Sequence, residues 1–458
     1  MTVSTVLNRL AAILLWVAAL ALIAASFNLY APYLASVRAR LLIALPVACC
    51  LVLVVLWLRR RWIGRHMVRR RVLRVALAVA WCLPLLGMLT SEAAFQRTRH
   101  AVLDADAAMS RRLGSHFIVG YFHVEAVAPL AAKGLIGGIY VTHHNIRGRT
   151  AADLKAEIAG LQELRRTNGL PPLIVVADQE GGIVSHLSPQ LPALPALATL
   201  ADLPADQRAA KARAYGEIQG RELAEIGVTI NLAPVVDLRR GPMRKLFDFN
   251  SLIAQRAISD DPAKVTDVAA NYIRGLNAAH VGATIKHFPG LGRARGDTHH
   301  FTASIDTPVA ELDASDWQPF RDLLADGNAH LMVGHAAVNA VDPGIPASHS
   351  KPLIDGLVRG TWGYQGLIMS DDMVMGAVYQ HGLCHATVAS LNAGLDLLLV
   401  AYDGAQYFRI FECALTAAIN GELDEAMLVK SQARLDALSS GPVALPQASE
   451  GASLASGG

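Results

Sequence analysis

A (β/α)8 barrel preceded by three membrane-spanning helices is the fold class this sequence predicts, and three observations predict it. The first ninety or so residues hold three long uncharged runs separated by arginines. Beyond about residue 114, eight short β-branched runs alternate with longer Ala-rich stretches of helical spacing. Polar residues gather directly after most of these eight runs, where a parallel barrel collects its functional side chains on one face. A doubly wound open sheet is the alternative arrangement of the same alternation.

The membrane helices follow from length and charge. Residues 10–37, 41–58 and 75–91 carry no charged side chain, and each run approaches or exceeds the ~18–20 residues that cross a bilayer as a helix. Pro46 and Pro84 are compatible with spans, because neighbouring helices and local adjustments satisfy the freed backbone groups. Arg59, Arg60, Arg61, Arg65, Arg69, Arg70, Arg71 and Arg74 stand between the second and third runs, against only Arg38 and Arg40 between the first and second. The positive-inside bias puts the Arg-rich connection in the cytoplasm. The N-terminus is then inside, and everything after the third span lies on the periplasmic side of an inner membrane, with membrane lipid as the partner of residues 1–91. The alternative, a signal peptide cleaved near Ala24-Ala25-Ser26, leaves the later segments where they are. Residues 92–114 read as a linker.

Charge separates the two parts. Residues 1–91 contain eleven Arg and neither Lys nor acid, so against a total of +3 the remainder carries −8. Hydrophobic types at 53 % and charged types at 17 % exclude a disordered chain. Basic residues set between apolar runs, rather than interleaved with aromatics, exclude a nucleic-acid binder. Five cysteines are too few for a disulfide scaffold, and Cys49, Cys50 and Cys82 sit inside apolar runs. Cys384 and Cys413 remain, and the sequence leaves their pairing open.

The eight strand candidates are 117–122, 138–142, 173–177, 228–232, 283–286, 330–334, 367–370 and 396–400, giving a barrel over 115–438. The intervals 151–166 and 205–226 place apolar residues on one helical stripe, as core-facing helices do. The tail from 439 to 458, rich in Ser, Gly, Ala and Pro, reads as disordered. After the strands come His143 and His144, the string from Asp178 to Gly182, Asp237, Lys286 and His287, His335, and Asp371 with Asp372. One polar strand end means little; six at matching positions mark an active-site face.

Four strings within this region are specific. They are Asp178-Gln179-Glu180-Gly181-Gly182; Lys286-His287-Phe288-Pro289-Gly290-Leu291-Gly292 followed by Asp297-Thr298-His299; Pro346-Ala347-Ser348-His349-Ser350; and Ser370-Asp371-Asp372-Met373-Val374-Met375-Gly376-Ala377. In this order and spacing they resemble glycoside hydrolase family 3, specifically its single-domain β-N-acetylhexosaminidases, over roughly residues 115–435. The resemblance implies a TIM barrel and a retaining, two-step hydrolysis. Asp371 matches the nucleophile, a role that needs a group able both to attack the anomeric carbon and to leave from a glycosyl ester. His299 matches the acid/base of this subgroup, with Asp297 as its orienting partner. An imidazole can donate to the leaving oxygen and then accept from water near its ordinary pKa. His300 competes by adjacency, and the family pattern of Asp, small hydroxyl residue and His selects His299.

The resemblance also assigns Asp178, Arg256, Lys286 and His287 to binding the hydroxyls of the glycone. One departure matters: where the subgroup carries Asp-Gln-Glu-Gly-Gly-Arg-Val-x-Arg, this chain ends the string with His186, losing a forked, permanently charged donor. Arg239, Arg240, Arg244 and Lys245 either contact an anionic aglycone or form a solvated basic loop. The chemistry calls for no metal and no other cofactor, and the paired histidines lack zinc-site spacing. The expected reaction removes a terminal β-linked N-acetylglucosamine from peptidoglycan fragments or a related glycan. A β-glucosidase or β-xylosidase of the same superfamily, and a non-catalytic membrane-anchored glycan sensor, are the competing readings.

Overall fold

The computed structural model describes residues 3–59, 68–241 and 251–439. Arg60, Arg61 and Arg65 of the Arg-rich connection, Arg244, Lys245, and the tail from 440 lie outside the described residues. The chain divides into two compact units between Asp104 and Ala105.

The first unit holds three helices, α1 (Val3–Phe27), α2 (Ala35–Arg59) and α3 (Val68–Leu103). Leu10–Phe27, Pro32–Leu58 and Val75–Leu103 are long and apolar enough to cross a membrane. Their inward residues, among them Ala19, Leu45, Leu77, Ala80 and Trp81, pack on one another, whereas Leu14, Ile43 and Leu89 are exposed, as side chains facing lipid would be. The uncharged run 10–37 is not one helix. It breaks after Phe27, where Asn28 folds its side-chain amide back onto the Ala24 carbonyl (2.9 Å) and Pro32 opens a short 3-10 turn. Arg38 therefore belongs to the first turns of α2, with its Nε on the Leu29 carbonyl at 2.9 Å. The expected linker, residues 92–114, is largely helical. Residues 92–103 continue α3, because Glu, Ala, Gln and Arg are good helix formers and no Gly or Pro interrupts them.

The second unit is a closed barrel of eight parallel strands: β1 (Phe117–Gly120), β2 (Gly138–Val141), β3 (Ile174–Ala177), β4 (Ile230–Asn231), β5 (Gly282–Phe288), β6 (Ala329–Val333), β7 (Ile368–Asp372) and β8 (Leu397–Val400). They follow chain order around the barrel, and β1 closes it against β8 through Phe117↔Leu398, Ile118↔Leu399 and Val119↔Val400. Each expected run contributes one barrel strand. Period-2 alternation sends Ile118, Tyr140, Val176, Ile230, Met332, Met369, Leu397 and Leu399 into the barrel interior, where they form one core cluster. Leu435 of the last helix, Glu425–Ser439, joins that cluster and helps cover the N-terminal mouth. Full burial of such a side chain contributes about 1.5–3 kcal/mol.

Outer helices begin where caps predict. Thr150 and Asp153 form a reciprocal capping box at the start of Ala151–Thr167, and its buried Leu154, Ile158 and Leu161 lie at helical spacing. Asp261 caps Pro262–Ala278. Asp396, fully buried before β8, accepts from Arg359 (2.7 Å), Ser431 (2.7 Å) and Arg434 (2.8 Å), tying the last helix to the barrel. Cys384 and Cys413 form a disulfide between two outer helices, Leu383–Ala393 and Tyr407–Ile419.

Candidate active site

The loops after the strands bring the polar set together at the C-terminal mouth. β3 ends at Ala177, so Asp178 is the first residue beyond it, and Gln179–Gly181 pairs with Val184–Ser185 in a short hairpin. β5 carries Lys286 and His287 at its end, and β7 carries Asp371 and Asp372. Arg256 enters from the one-turn helix Ile253–Arg256. A cavity of about 1020 Å³ opens at the opposite mouth, lined by residues that precede the strands, including Pro172, Thr229 and Val281, with Leu435 and Leu438. It holds none of these polar groups, so the chemistry locates the site and cavity size does not.

An ion network organises one side of the site. The buried Lys286 ammonium lies between Asp178 and Glu180, 2.7 Å from the Glu180 carboxylate. Arg256 grips Glu180 with two donors, Nε at 3.0 Å and Nη2 at 2.6 Å. Burial alone would raise both carboxyl groups. The Lys286 charge, with His186, holds Asp178 well below the carboxylate range, and Arg256 followed by Lys286 holds Glu180 down. Burial works against the Lys286 charge, but Asp178 and Glu180 outweigh it and raise its pKa. Tyr140, an inward residue of β2, donates to the second Asp178 oxygen at 2.8 Å, and His186 Nδ1 is 3.1 Å from the same hydroxyl. His186 thus occupies the Asp178 side of the site, 5.7 Å ring to ring from His143.

His287 is fixed by a residue from the extension of the neighbouring strand, β4, whose Val235 pairs with Lys286. The fully buried Asp237 accepts from His287 Nδ1 (2.7 Å), His287 N (3.1 Å) and Leu291 N (2.6 Å). With Nδ1 donating, Nε2 is left facing Arg256 Nη2 at 3.3 Å.

Asp371 and Asp372 divide as neighbours on a strand end should. Asp372 turns into the fold and accepts from the backbone of Ala401 (2.9 Å), Tyr402 (2.9 Å) and Val374 (3.1 Å); burial nevertheless pushes it up to about 6. Asp371 is left for the site. Burial would raise its carboxyl, but the imidazoles of His287, His335 and His299 and the Asp372 amide (2.8 Å) lower it. It is therefore a ready carboxylate at neutral pH. His335 stands behind it, bonded to Ser348 Oγ at 2.7 Å and to the Asp372 carbonyl at 3.1 Å, and burial lowers its pKa.

Asp297 and His299 come together on the loop after β5. The Asp297 carboxylate meets His299 Nδ1 at 2.8 Å and the His299 amide at 3.0 Å. Burial would lower the imidazole pKa, but the Asp297 hydrogen bond and the Asp371 charge raise it. His300 is exposed on the same loop and the Asp297 bond goes to His299.

Every expected site residue therefore lies at one end of the barrel, in two linked groups. Asp178, Glu180, Lys286, Arg256, His287 and His186 form one, and Asp371, Asp297 and His299 the other. Arg239 and Arg240 have partners within the fold: Arg239 bonds the carbonyls of Ala257 (3.0 Å) and Ile258 (3.3 Å), and Arg240 pairs with Asp316 (3.3 Å). Tyr140 and the orienting role of Asp237 go beyond what the sequence singles out. Asp237 carries the strand-end signal, whereas Tyr140 is distinguishable only by its inward parity on β2.

The comparisons with known proteins agree with this arrangement. Residues 118–438 match the model described as the glycosyl hydrolase family 3 N terminal domain. The chain belongs to glycosyl hydrolase family 3. It is a glycosidase of a family whose members include a β-hexosaminidase of Stenotrophomonas maltophilia, 35 % identical over 299 residues that cover 64 % of this chain and 83 % of that one. A β-hexosaminidase of Xanthomonas campestris is 34 % identical over 271 residues, 58 % of this chain and 77 % of that one. Among solved structures, the family 3 β-N-acetylglucosaminidase of a Paenibacillus species superposes with a TM-score of 0.67 at 29 % identity, over 76 % of this chain. The match spans 65 % of the Paenibacillus chain.

Proposed function

We propose that this family 3 glycosidase removes terminal β-linked N-acetylglucosamine with retention of configuration, through a glycosyl ester on Asp371. The observation that carries the reading is the pairing of a depressed carboxylate, Asp371, with an imidazole raised by its own carboxylate, the His299–Asp297 pair. In the first step His299, protonated, gives its proton to the glycosidic oxygen while Asp371 attacks the anomeric carbon and the aglycone departs. In the second, the now neutral His299 takes a proton from water, which attacks the same carbon and returns Asp371 as a carboxylate. Asp178, Lys286 and Arg256 supply charged donors and acceptors to the sugar hydroxyls and His287 its imidazole, with His186 at their edge. The β-hexosaminidase relatives support an N-acetylated glycone.

Peptidoglycan fragments are the substrate pool this account favours, because the barrel is proposed to lie outside the cytoplasmic membrane. Eight arginines between the second and third apolar runs against two between the first and second support that orientation. The Cys384–Cys413 disulfide supports it independently, since such bonds persist on the oxidising side of a bacterial membrane.

Steady-state hydrolysis of an aryl β-N-acetylglucosaminide, beside the matching glucoside and xyloside, tests the reading. The wild type should prefer the N-acetylated sugar and Asp371→Ala should lose turnover. Preference for a plain sugar selects the competing specificity, and equal activity in the variant removes Asp371 as nucleophile.

A further inference from the structure

We infer that Gly376 is a positioning residue for the acid/base: it is the seat on which the His299 loop docks against the strand that carries the nucleophile. This rests on the proposed role of His299 and adds a residue to it.

The loop from Gly290 to Thr302 leaves β5 and returns across the mouth of the barrel. Its tip is held by two backbone bonds to the segment just after β7. The Gly376 amide donates to the His299 carbonyl at 2.9 Å, and the Ala377 amide donates to the Thr298 carbonyl at 3.1 Å. These amides open the short helix Gly376–Gln380 and have no partner within it, so they are free for the loop. Met375 N in turn bonds the Asp372 carbonyl at 3.1 Å, so the seat is only five residues from Asp371 and rigidly tied to it. His299 thereby takes its place relative to Asp371 from this contact as well as from Asp297.

The contact requires a residue without a side chain. A Cβ built on Gly376 would lie 2.6 Å from the His300 oxygen, 2.7 Å from its carbonyl carbon and 2.8 Å from its Cα. All three are backbone atoms, so no rotamer change relieves them. Ordinary contact at about 3.5 Å or more requires the loop to withdraw by roughly 1 Å, and a displacement of that size at a reacting group costs on the order of 100-fold in rate. The loss should fall on the step that needs the proton, because the Lys286 network and Asp371 do not touch this contact.

Leaving-group dependence reads that step. We compare kcat/KM for an aryl N-acetylglucosaminide whose phenolate needs protonation with that for the 2,4-dinitrophenyl glycoside, whose leaving group does not. His299→Ala serves as the reference. Gly376→Ala should lose ~100-fold on the first substrate and no more than about 3-fold on the second, the same selectivity as His299→Ala. Azide, which attacks the glycosyl ester without base help, should raise dinitrophenyl turnover in both variants and yield the β-glycosyl azide. Equal losses on the two substrates, or no loss, with His299→Ala selective, overturn the role of Gly376. If His299→Ala is itself unselective, the acid/base reading fails and this inference with it. Thermal unfolding near the wild-type midpoint separates these outcomes from misfolding. Should Gly376→Ala fail to fold, Ala377→Pro deletes the second docking bond at a helix start that tolerates proline, and the same selectivity is required of it.

Discussion

Replacing Asp297 by Asn keeps the volume beside His299 and removes one charge. The carboxylate accepts from His299 Nδ1 at 2.8 Å and is fully buried, while the imidazole side chain is 37 % exposed. A hydrogen bond to an ionised group contributes about 1.5–3 kcal/mol and a neutral one about 0.5–1.5. The variant imidazolium is therefore less stable by about 1–1.5 kcal/mol, and solvent screening at a ring this open favours the smaller figure. At about 1.36 kcal/mol per unit, the pKa falls by roughly 0.7–1 unit. His299 must be protonated to assist departure of the aglycone, and its pKa in the folded enzyme is held above the ordinary imidazole value. Activity in kcat/KM therefore persists below that raised pKa and is lost as pH rises through it. In Asp297→Asn the alkaline limb should move toward acid by the same 0.7–1 unit, about five- to tenfold in rate on the limb. On the acid side of the limb the two proteins should agree within about twofold. The assay is a pH profile of kcat/KM with an aryl glycoside that needs protonation. An unmoved limb, or a uniform loss at every pH, refutes the reasoning.

Three further outcomes are expected. Lys286→Met leaves Asp178 and Glu180 buried with Arg256 as the remaining strong cation, and breaking a buried pair costs about 3–5 kcal/mol; denaturant unfolding within about 1 kcal/mol of wild type would contradict the network. His186→Ala removes a partner of the Tyr140 hydroxyl at the Asp178 edge, so KM should rise ~5-fold, as for loss of one hydrogen bond of about 1 kcal/mol, with kcat unchanged; a fall in kcat alone would place His186 in the chemistry instead. Cys384→Ser opens a bridge that closes a separation of 29 residues, for which chain entropy gives about 3–4 kcal/mol; unchanged unfolding in oxidising buffer would show that the bridge contributes nothing.

The eight strands were legible because β-branched runs of four to six residues, most of them followed by polar groups, are the local signature of a parallel barrel. The motif strings likewise placed Asp178, Lys286, His287, Asp297, His299 and Asp371 on one face. What stayed hidden was long-range. Arg256 and Glu180 meet across 76 residues of sequence, and neither carries a local mark of the other. The docking of Thr298 and His299 on Gly376 and Ala377 depends on how a loop returns, which periodicity does not encode. The internal partners of Arg239 and Arg240 were equally hidden, because an arginine that satisfies carbonyls or an internal aspartate has the same composition as one that contacts an aglycone or solvent. In the first unit, the turn at Asn28 and Pro32 lies within an apolar stretch, so counting charges alone carried the first span too far.

Trapping the intermediate tests the central claim most directly. Incubation with a 5-fluoro N-acetylglucosaminyl fluoride, followed by proteolysis and peptide mass spectrometry, should give one modified peptide, with the sugar esterified to Asp371. A label on Asp372 or on any other residue, or a first-formed product of inverted configuration, would contradict the account.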